Sequence, residues 1–164
     1  MDYSPLRYPG GKTKIAPLVN FIIEKAGIKQ GIYIEPFAGG AGVALALLLN
    51  NKVDNIVIND IDIAIYAFWY SVLNYTGEFV QLVKDTPVTI EEWRKQKGIF
   101  ISKNQENLLE LGFATFFLNR TNRSGILKAG PIGGLDQKGN YLIDARFNKA
   151  NLIKRVERVA QYKE

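Results

Sequence analysis

Residues 34 to 45 read Ile34-Glu35-Pro36-Phe37-Ala38-Gly39-Gly40-Ala41-Gly42-Val43-Ala44-Leu45: an apolar strand ends in a carboxylate, turns through three glycines and enters a helix. Glycines at a strand-to-helix turn let a ligand approach the backbone, and a helix N-terminus ordinarily attracts phosphate. The sign of the charge is reversed in this chain. Glu35 and the acidic pair Asp60 and Asp62 stand where a pyrophosphate would be repelled. At ~4 Å and an effective dielectric near 20, one such carboxylate opposes a phosphate by several kcal/mol. Such a site favours a ligand that carries positive charge and free hydroxyls. S-adenosylmethionine, with its sulfonium, ammonium and ribose diol and no phosphate, has that chemistry.

Two glycine motifs compete with this reading. Gly10-Gly11-Lys12-Thr13 has the end of a phosphate-binding P-loop, but the signature requires glycine where Leu6 stands, and no apolar strand precedes it. Gly40-Ala41-Gly42-Val43-Ala44-Leu45 is close to a dinucleotide fingerprint, with Asp60 about 20 residues on, yet Leu45 replaces the third glycine. Glu35 beside the turn argues against the pyrophosphate that a nicotinamide-dependent enzyme would bind.

At 164 residues and 47% apolar content the chain can bury a full core. It has neither cysteine nor histidine, which excludes disulfides, thiolate or imidazole metal sites and a histidine base. No apolar run approaches the ~20 residues of a membrane span, and Met1-Asp2-Tyr3-Ser4-Pro5 carries no basic-then-apolar signal, so a cytoplasmic protein is expected. Residues 1 to 118 hold 11 Lys/Arg against 12 Asp/Glu, whereas residues 119 to 164 hold 10 against 4. A field concentrated at one end suits a polyanion such as DNA, although a solvated basic surface would have the same composition.

Apolar residues at Ile15, Leu18, Val19, Ile22, Ile23 and Ala26 predict an amphipathic helix that Gly27 stops. Ile32-Tyr33-Ile34 reads as a short strand, Gly42 to Asn50 as an apolar helix, and Asn55 to Ile58 as a second strand, together a βαβ unit. Helices are expected over 62–74, from Thr76 or Gly77 through Val83, from a capping box at Thr89 and Glu92 towards Lys103, over Leu108 to Leu118, and over about 149–162. The glycine-dense, basic stretch from Asn119 to Phe147 reads as loops around a small hairpin.

Three motifs in order, Arg7-Tyr8-Pro9-Gly10-Gly11-Lys12, Glu35-Pro36-Phe37-Ala38-Gly39-Gly40 and Ile58-Asn59-Asp60-Ile61, resemble the cofactor half of the Dam-like, D12-class DNA adenine-N6 methyltransferases. Phe116-Phe117-Leu118-Asn119-Arg120-Thr121-Asn122-Arg123-Ser124-Gly125 is similar to that family's Asn-Arg loop, so the likeness spans nearly the whole chain. The resemblance implies an α/β fold: a partial Rossmann-like, S-adenosylmethionine-dependent methyltransferase sheet with a helical and hairpin DNA-recognition segment. It divides the chain into a cofactor-binding βαβ region, 1–75, and a recognition region, 76–164.

It further implies that Tyr8 and Lys12 close over the methionine end of the cofactor. Glu35, Phe37, Gly39 and Gly40 would line methionine and adenosine, while Asp60 accepts the ribose hydroxyls and Ile61 lies against adenine. As residues alone, Asp60 has a helix cap as its alternative role, and Phe37 is equally ordinary core or ligand wall. Asn119, Arg120, Asn122, Arg123 and Ser124 would contact double-stranded DNA, with Lys128, Lys138, Arg146 and Lys149 as backbone contacts.

One departure stands out. The family's Asp/Asn-Pro-Pro-Tyr/Phe segment, which holds the amino group of a flipped adenine, is absent: the six prolines are Pro5, Pro9, Pro17, Pro36, Pro87 and Pro131, and no two adjoin. No residue of this chain is therefore expected to be catalytic, and negligible methylation by the polypeptide alone is expected. A complementing chain carrying the missing motif is one expectation; a non-catalytic DNA- or cofactor-binding module is another. No metal and no membrane partner are expected.

Overall fold

The computed structural model describes residues 3–7 and 12–163. Two compact units are present: Met1–Ser4 with Gly10–Ile61, and Pro5–Pro9 with Asp62–Glu164. The division falls at Ile61/Asp62, and the helix over residues 63–74 lies in the second unit.

In the first unit a 3-10 turn, Lys12–Ile15, leads into α1, Ala16–Lys25, with Pro17 in its first turn, where the missing N–H costs nothing. Strand β1, Ile32–Glu35, pairs in parallel with β2, Asn55–Ile58, through the crossover helix α2, Gly42–Leu49. The register sets Ile32 beside Asn55, Tyr33 beside Ile56, Ile34 beside Val57 and Glu35 beside Ile58. Because strand side chains alternate, Tyr33 and Ile56 share one face. There they pack with Val43 and Leu47 of α2, Ala16, Val19 and Ile23 of α1, and Val53. Ile32, Ile34 and Val57 lie exposed on the other face.

Gly42 is required by packing. A Cβ there would collide with the Thr13 hydroxyl, so the 3-10 turn lies directly on the first residue of α2.

The second unit is helical: α3, Ile63–Asn74; α4, Thr76–Asp85; α5, Ile90–Ser102; α6, Leu108–Thr121; and α7, Lys149–Ala160. Side-chain acceptors cap four of them, Asp62 to the Ala64 amide, Thr89 to Glu92, Asn107 to Glu110 and Asn148 to Asn151. The cap of α3 is thus Asp62 and not Asp60. The core is aromatic: Phe68 of α3 stacks on Phe116 of α6 at 5.9 Å between ring centroids, and Phe79 of α4 meets Phe116 edge-on at 5.4 Å. Such pairs add about 0.5–1.5 kcal/mol each beyond the area they bury. Phe147 closes the basic segment onto the same core, 5.6 Å from Phe116 and 5.4 Å from Phe117. Lys149 donates to the carbonyls of Lys84 and Thr86, tying the start of α7 to the end of α4.

Two expectations for the second unit need correction. Helix α6 runs past Leu118 to Thr121, because residues 111–121 are buried throughout and their environment sustains the helix. The expected hairpin between Asn119 and Phe147 is not formed. In its place are a 3-10 turn, Arg123–Gly125, one isolated antiparallel bridge between Asn122 and Pro131, and turns. Positive φ at Gly133 and Gly134 bends the chain where strand pairing would have continued. Among the described residues no helix is long and apolar enough to cross a membrane.

Helices α3 and α6 are in tight contact at Gly112, where a Cβ would stand 2.6 Å from the Ser71 hydroxyl and closer still to the Ala67 carbonyl oxygen. Gly112→Ala is expected to lower stability by about 1–3 kcal/mol, since a backbone carbonyl cannot rotate aside. Urea denaturation of the two proteins measures the difference.

Candidate cofactor site and nucleic-acid interface

The turn after β1 satisfies its amides with the protein's own carboxylates. Glu35 is the last residue of β1 and faces inward. Its Oε2 accepts the Ala44 amide at 3.1 Å, within the first turn of α2, and only 4% of the residue is exposed. Asp60, two residues past β2, accepts the Gly39 amide through Oδ2 at 2.8 Å. Both carboxylates sit where a helix N-terminus and a glycine turn would otherwise present donors to a phosphate. Burial pushes the Glu35 carboxyl above the usual carboxylate range, while its bond to Ala44 and the charge of Lys12 oppose that rise.

The backbone around the turn is tied at several further points. The Ala38 amide donates to the Asn59 carbonyl at 2.9 Å, the Asn59 amide to the Glu35 carbonyl at 3.0 Å, and the Asn59 side chain to the Pro36 carbonyl at 3.1 Å. Gly39 (φ +49°) and Ala41 (φ +49°) are left-handed, which costs glycine nothing and alanine about 1–2 kcal/mol. Sequence reasoning missed the part of Asn59; an amide side chain next to a carboxylate at a strand end was the available signal.

Of the residues assigned to the cofactor, Lys12, Glu35, Phe37, Gly39, Gly40, Asp60 and Ile61 all fall in the first unit, and Tyr8 lies outside the described residues. Lys12 reaches the Phe37 carbonyl at 3.4 Å, and Gly39 and Gly40 are buried. Phe37 is 68% exposed and Ile61 89%, so neither is core. Both are large apolar side chains left in water near the carboxylate-lined turn. A carboxylate offers about four lone-pair sites, so the Gly39 bond on Asp60 is compatible with hydroxyl recognition.

In the second unit the residues assigned to DNA divide by burial. Asn119, Arg120 and Asn122 are interior, whereas Arg123 and Ser124 are exposed. The Asn119 side chain accepts the Arg7 amide and donates to the Arg7 carbonyl, both at 2.7 Å, and donates to the Gly125 carbonyl at 2.9 Å. Arg120 holds the Pro5 carbonyl through Nε at 2.6 Å and also through Nη2. Asn122 accepts the Trp93 indole at 2.6 Å and donates to the carbonyls of Ile126 and Leu127 at 3.0 Å. In this structure all three side chains are engaged with internal partners. Their polar groups are directed at loop backbone, and they join segment 5–7 to the turn after α6. Of the residues expected at the DNA backbone, Lys128, Lys138 and Arg146 are exposed, while the Lys149 amine is engaged at the end of α4.

Among the described residues no group of three or more acidic side chains is placed to hold a metal ion. The chain belongs to the D12 class N6 adenine-specific DNA methyltransferase family, whose model matches residues 8–163. It is also similar to the Type II methyltransferase M.MjaIII of Methanocaldococcus jannaschii, with 26% identity over 167 aligned positions covering 93% of this chain and 57% of the relative. The chain therefore spans little more than half the length of that relative.

The Glu35 geometry gives a pH signature. With its carboxyl raised by burial, the native state binds that proton more readily than the unfolded chain. Its contribution to stability is fully present below the ordinary carboxylate pKa and is lost as pH rises through the native value. Glutamine keeps an oxygen for Ala44 without the charge. The stability of Glu35→Gln relative to wild type is therefore expected to grow as pH rises through the carboxylate range and to converge at acid pH. Urea midpoints at several pH values give the comparison; a trend of opposite sign contradicts the burial argument.

Proposed function

We propose that this chain binds S-adenosylmethionine at the β1–α2 turn and serves transfer of its methyl group to N6 of adenine in double-stranded DNA. The observation that carries the cofactor reading is the pair of carboxylates, Glu35 and Asp60, on the amides of Ala44 and Gly39. They replace the anion such a turn attracts and leave a rim that favours a sulfonium and an ammonium. Lys12, Glu35, Gly39 and Gly40, together with Tyr8, are assigned to the methionine and adenosine, Asp60 to the ribose and Phe37 and Ile61 to the apolar walls. When bound, the cofactor supplies a methyl group activated by its positive sulfur. Arg123 and Ser124 are the exposed DNA contacts, and base flipping would bring the target amine to the donor. Family membership and the Type II methyltransferase relative support DNA as the substrate, and a restriction-modification setting fits that relative's name.

Isothermal titration with S-adenosylhomocysteine tests the site. Asp60→Ala is expected to weaken binding by about 10-fold or more, as loss of a charge-assisted contact to hydroxyls does. Equal affinity in the two proteins removes the ribose assignment. Binding of NAD in place of S-adenosylhomocysteine would favour a nicotinamide-dependent enzyme.

Turnover by this polypeptide alone is proposed to be negligible, because no adjacent prolines, and so no Asp/Asn-Pro-Pro-Tyr/Phe segment, are encoded. The absence also favours a second reading, a DNA- or cofactor-binding module without catalysis. Transfer of labelled methyl groups to duplex DNA, with and without a second chain carrying the motif, separates the two. Activity restored by the second chain supports the enzyme; binding without turnover in either case supports the module.

A further inference from the structure

A cavity of about 250 Å³ opens among α4, α5 and α6 of the second unit, and none of the residues assigned to the cofactor or to DNA lines it. Leu82, Ile99, Leu109 and Phe113 make its lining largely apolar. Phe113 is only 2% exposed and meets Phe79 at 5.9 Å between ring centroids, edge-on, so its ring is a fixed part of the wall. Lys95 and Glu110 also line the cavity, both exposed, and supply one charge of each sign.

One further lining residue has an unmet hydrogen-bonding demand. Gln96 is 5% exposed, and its Oε1 is buried with no hydrogen-bond partner among the described residues. Its Nε2 donates to Glu92 Oε1 at 2.6 Å, one turn back along α5. A carboxylate only accepts, so turning the amide over to satisfy the oxygen would set two acceptors against each other. The orientation of Gln96 is therefore fixed by Glu92. Buried acceptors in folded proteins are met by a donor, and the one that Gln96 lacks has to come to the cavity wall.

An apolar cavity of about 150 Å³ suffices for benzene, so this one has room for a fused pair of rings. Lys95 and Glu110 balance each other and favour a neutral molecule over an ion. Apolar walls with a single placed acceptor are the usual makings of a small-molecule site. We propose that the cavity binds a small neutral heteroaromatic molecule bearing a ring N–H, which donates to Gln96 Oε1 while the ring lies against Phe113, Ile99 and Leu109. The site is separate from the cofactor and DNA assignments and stands or falls without them.

Amide chemical shifts of the full chain, titrated with indole and with benzofuran, test the site. The two probes share a shape, but benzofuran has no N–H. Saturable shifts are expected at residues of α4, α5 and α6 around the cavity, with indole bound about 10-fold more tightly, the effect of one buried hydrogen bond. Gln96→Leu is expected to abolish that preference, and Ile99→Trp, which fills the cavity from a half-buried wall position, to abolish binding of both probes. Should either variant fail to fold, the comparison of the two probes on the wild type still decides. Absence of saturable shifts, shifts confined to other parts of the chain, equal affinity for the two probes, or a preference retained in Gln96→Leu each overturns the proposal.

Discussion

Two carboxylate-to-amide bonds, Glu35 to Ala44 and Asp60 to Gly39, organise the first unit. They join the ends of both strands to the glycine turn and to the first turn of α2. The bend is therefore held by charge-assisted bonds at the place where its donors would otherwise recruit an external anion. Desolvation of Glu35 is the cost, visible in its raised pKa. In return the turn needs no ligand to satisfy its amides.

The second unit uses a different principle. A cluster of aromatic rings from α3, α4 and α6 forms the core, and Phe147 draws the end of the glycine-rich segment into it. Where α6 leaves that core its polar residues turn inward. Asn119, Arg120 and Asn122 direct their hydrogen bonds to the backbone of residues 5–7 and 125–127, giving loops without regular pairing a fixed shape. Irregular backbone can be buried only when its polar groups are met, and side-chain amides and a guanidinium meet them here. The exposed cations of the segment rest on that frame.

Much of the secondary structure was legible because its signals are local. The period of apolar residues marks α1 and α7, the short apolar runs mark β1 and β2, and Thr89 with Glu92 marks the start of α5. The glycine turn and its acidic flanks were legible for the same reason. The extension of α6 to Thr121 was not, since asparagine, arginine and threonine there read as a polar loop until partners 112 and 115 positions earlier in the chain are known. The missing hairpin has the same origin. Glycines and charges suggested a turn between strands, while the actual path is decided by Asn122, Pro131 and the anchoring of Phe147.

By itself, the order of residues determined a βαβ unit whose bend is acidic, a helical unit with a basic end, and the absence of any adjacent prolines. Tertiary structure alone decided which polar residues face inward. A side chain's burial depends on contacts far away in the chain, so identical Asn and Arg residues can read DNA at a surface or brace a loop beneath it. Asn119 is buried and Arg123, four positions on, is exposed, and the first is the one whose side chain meets the backbone of Arg7.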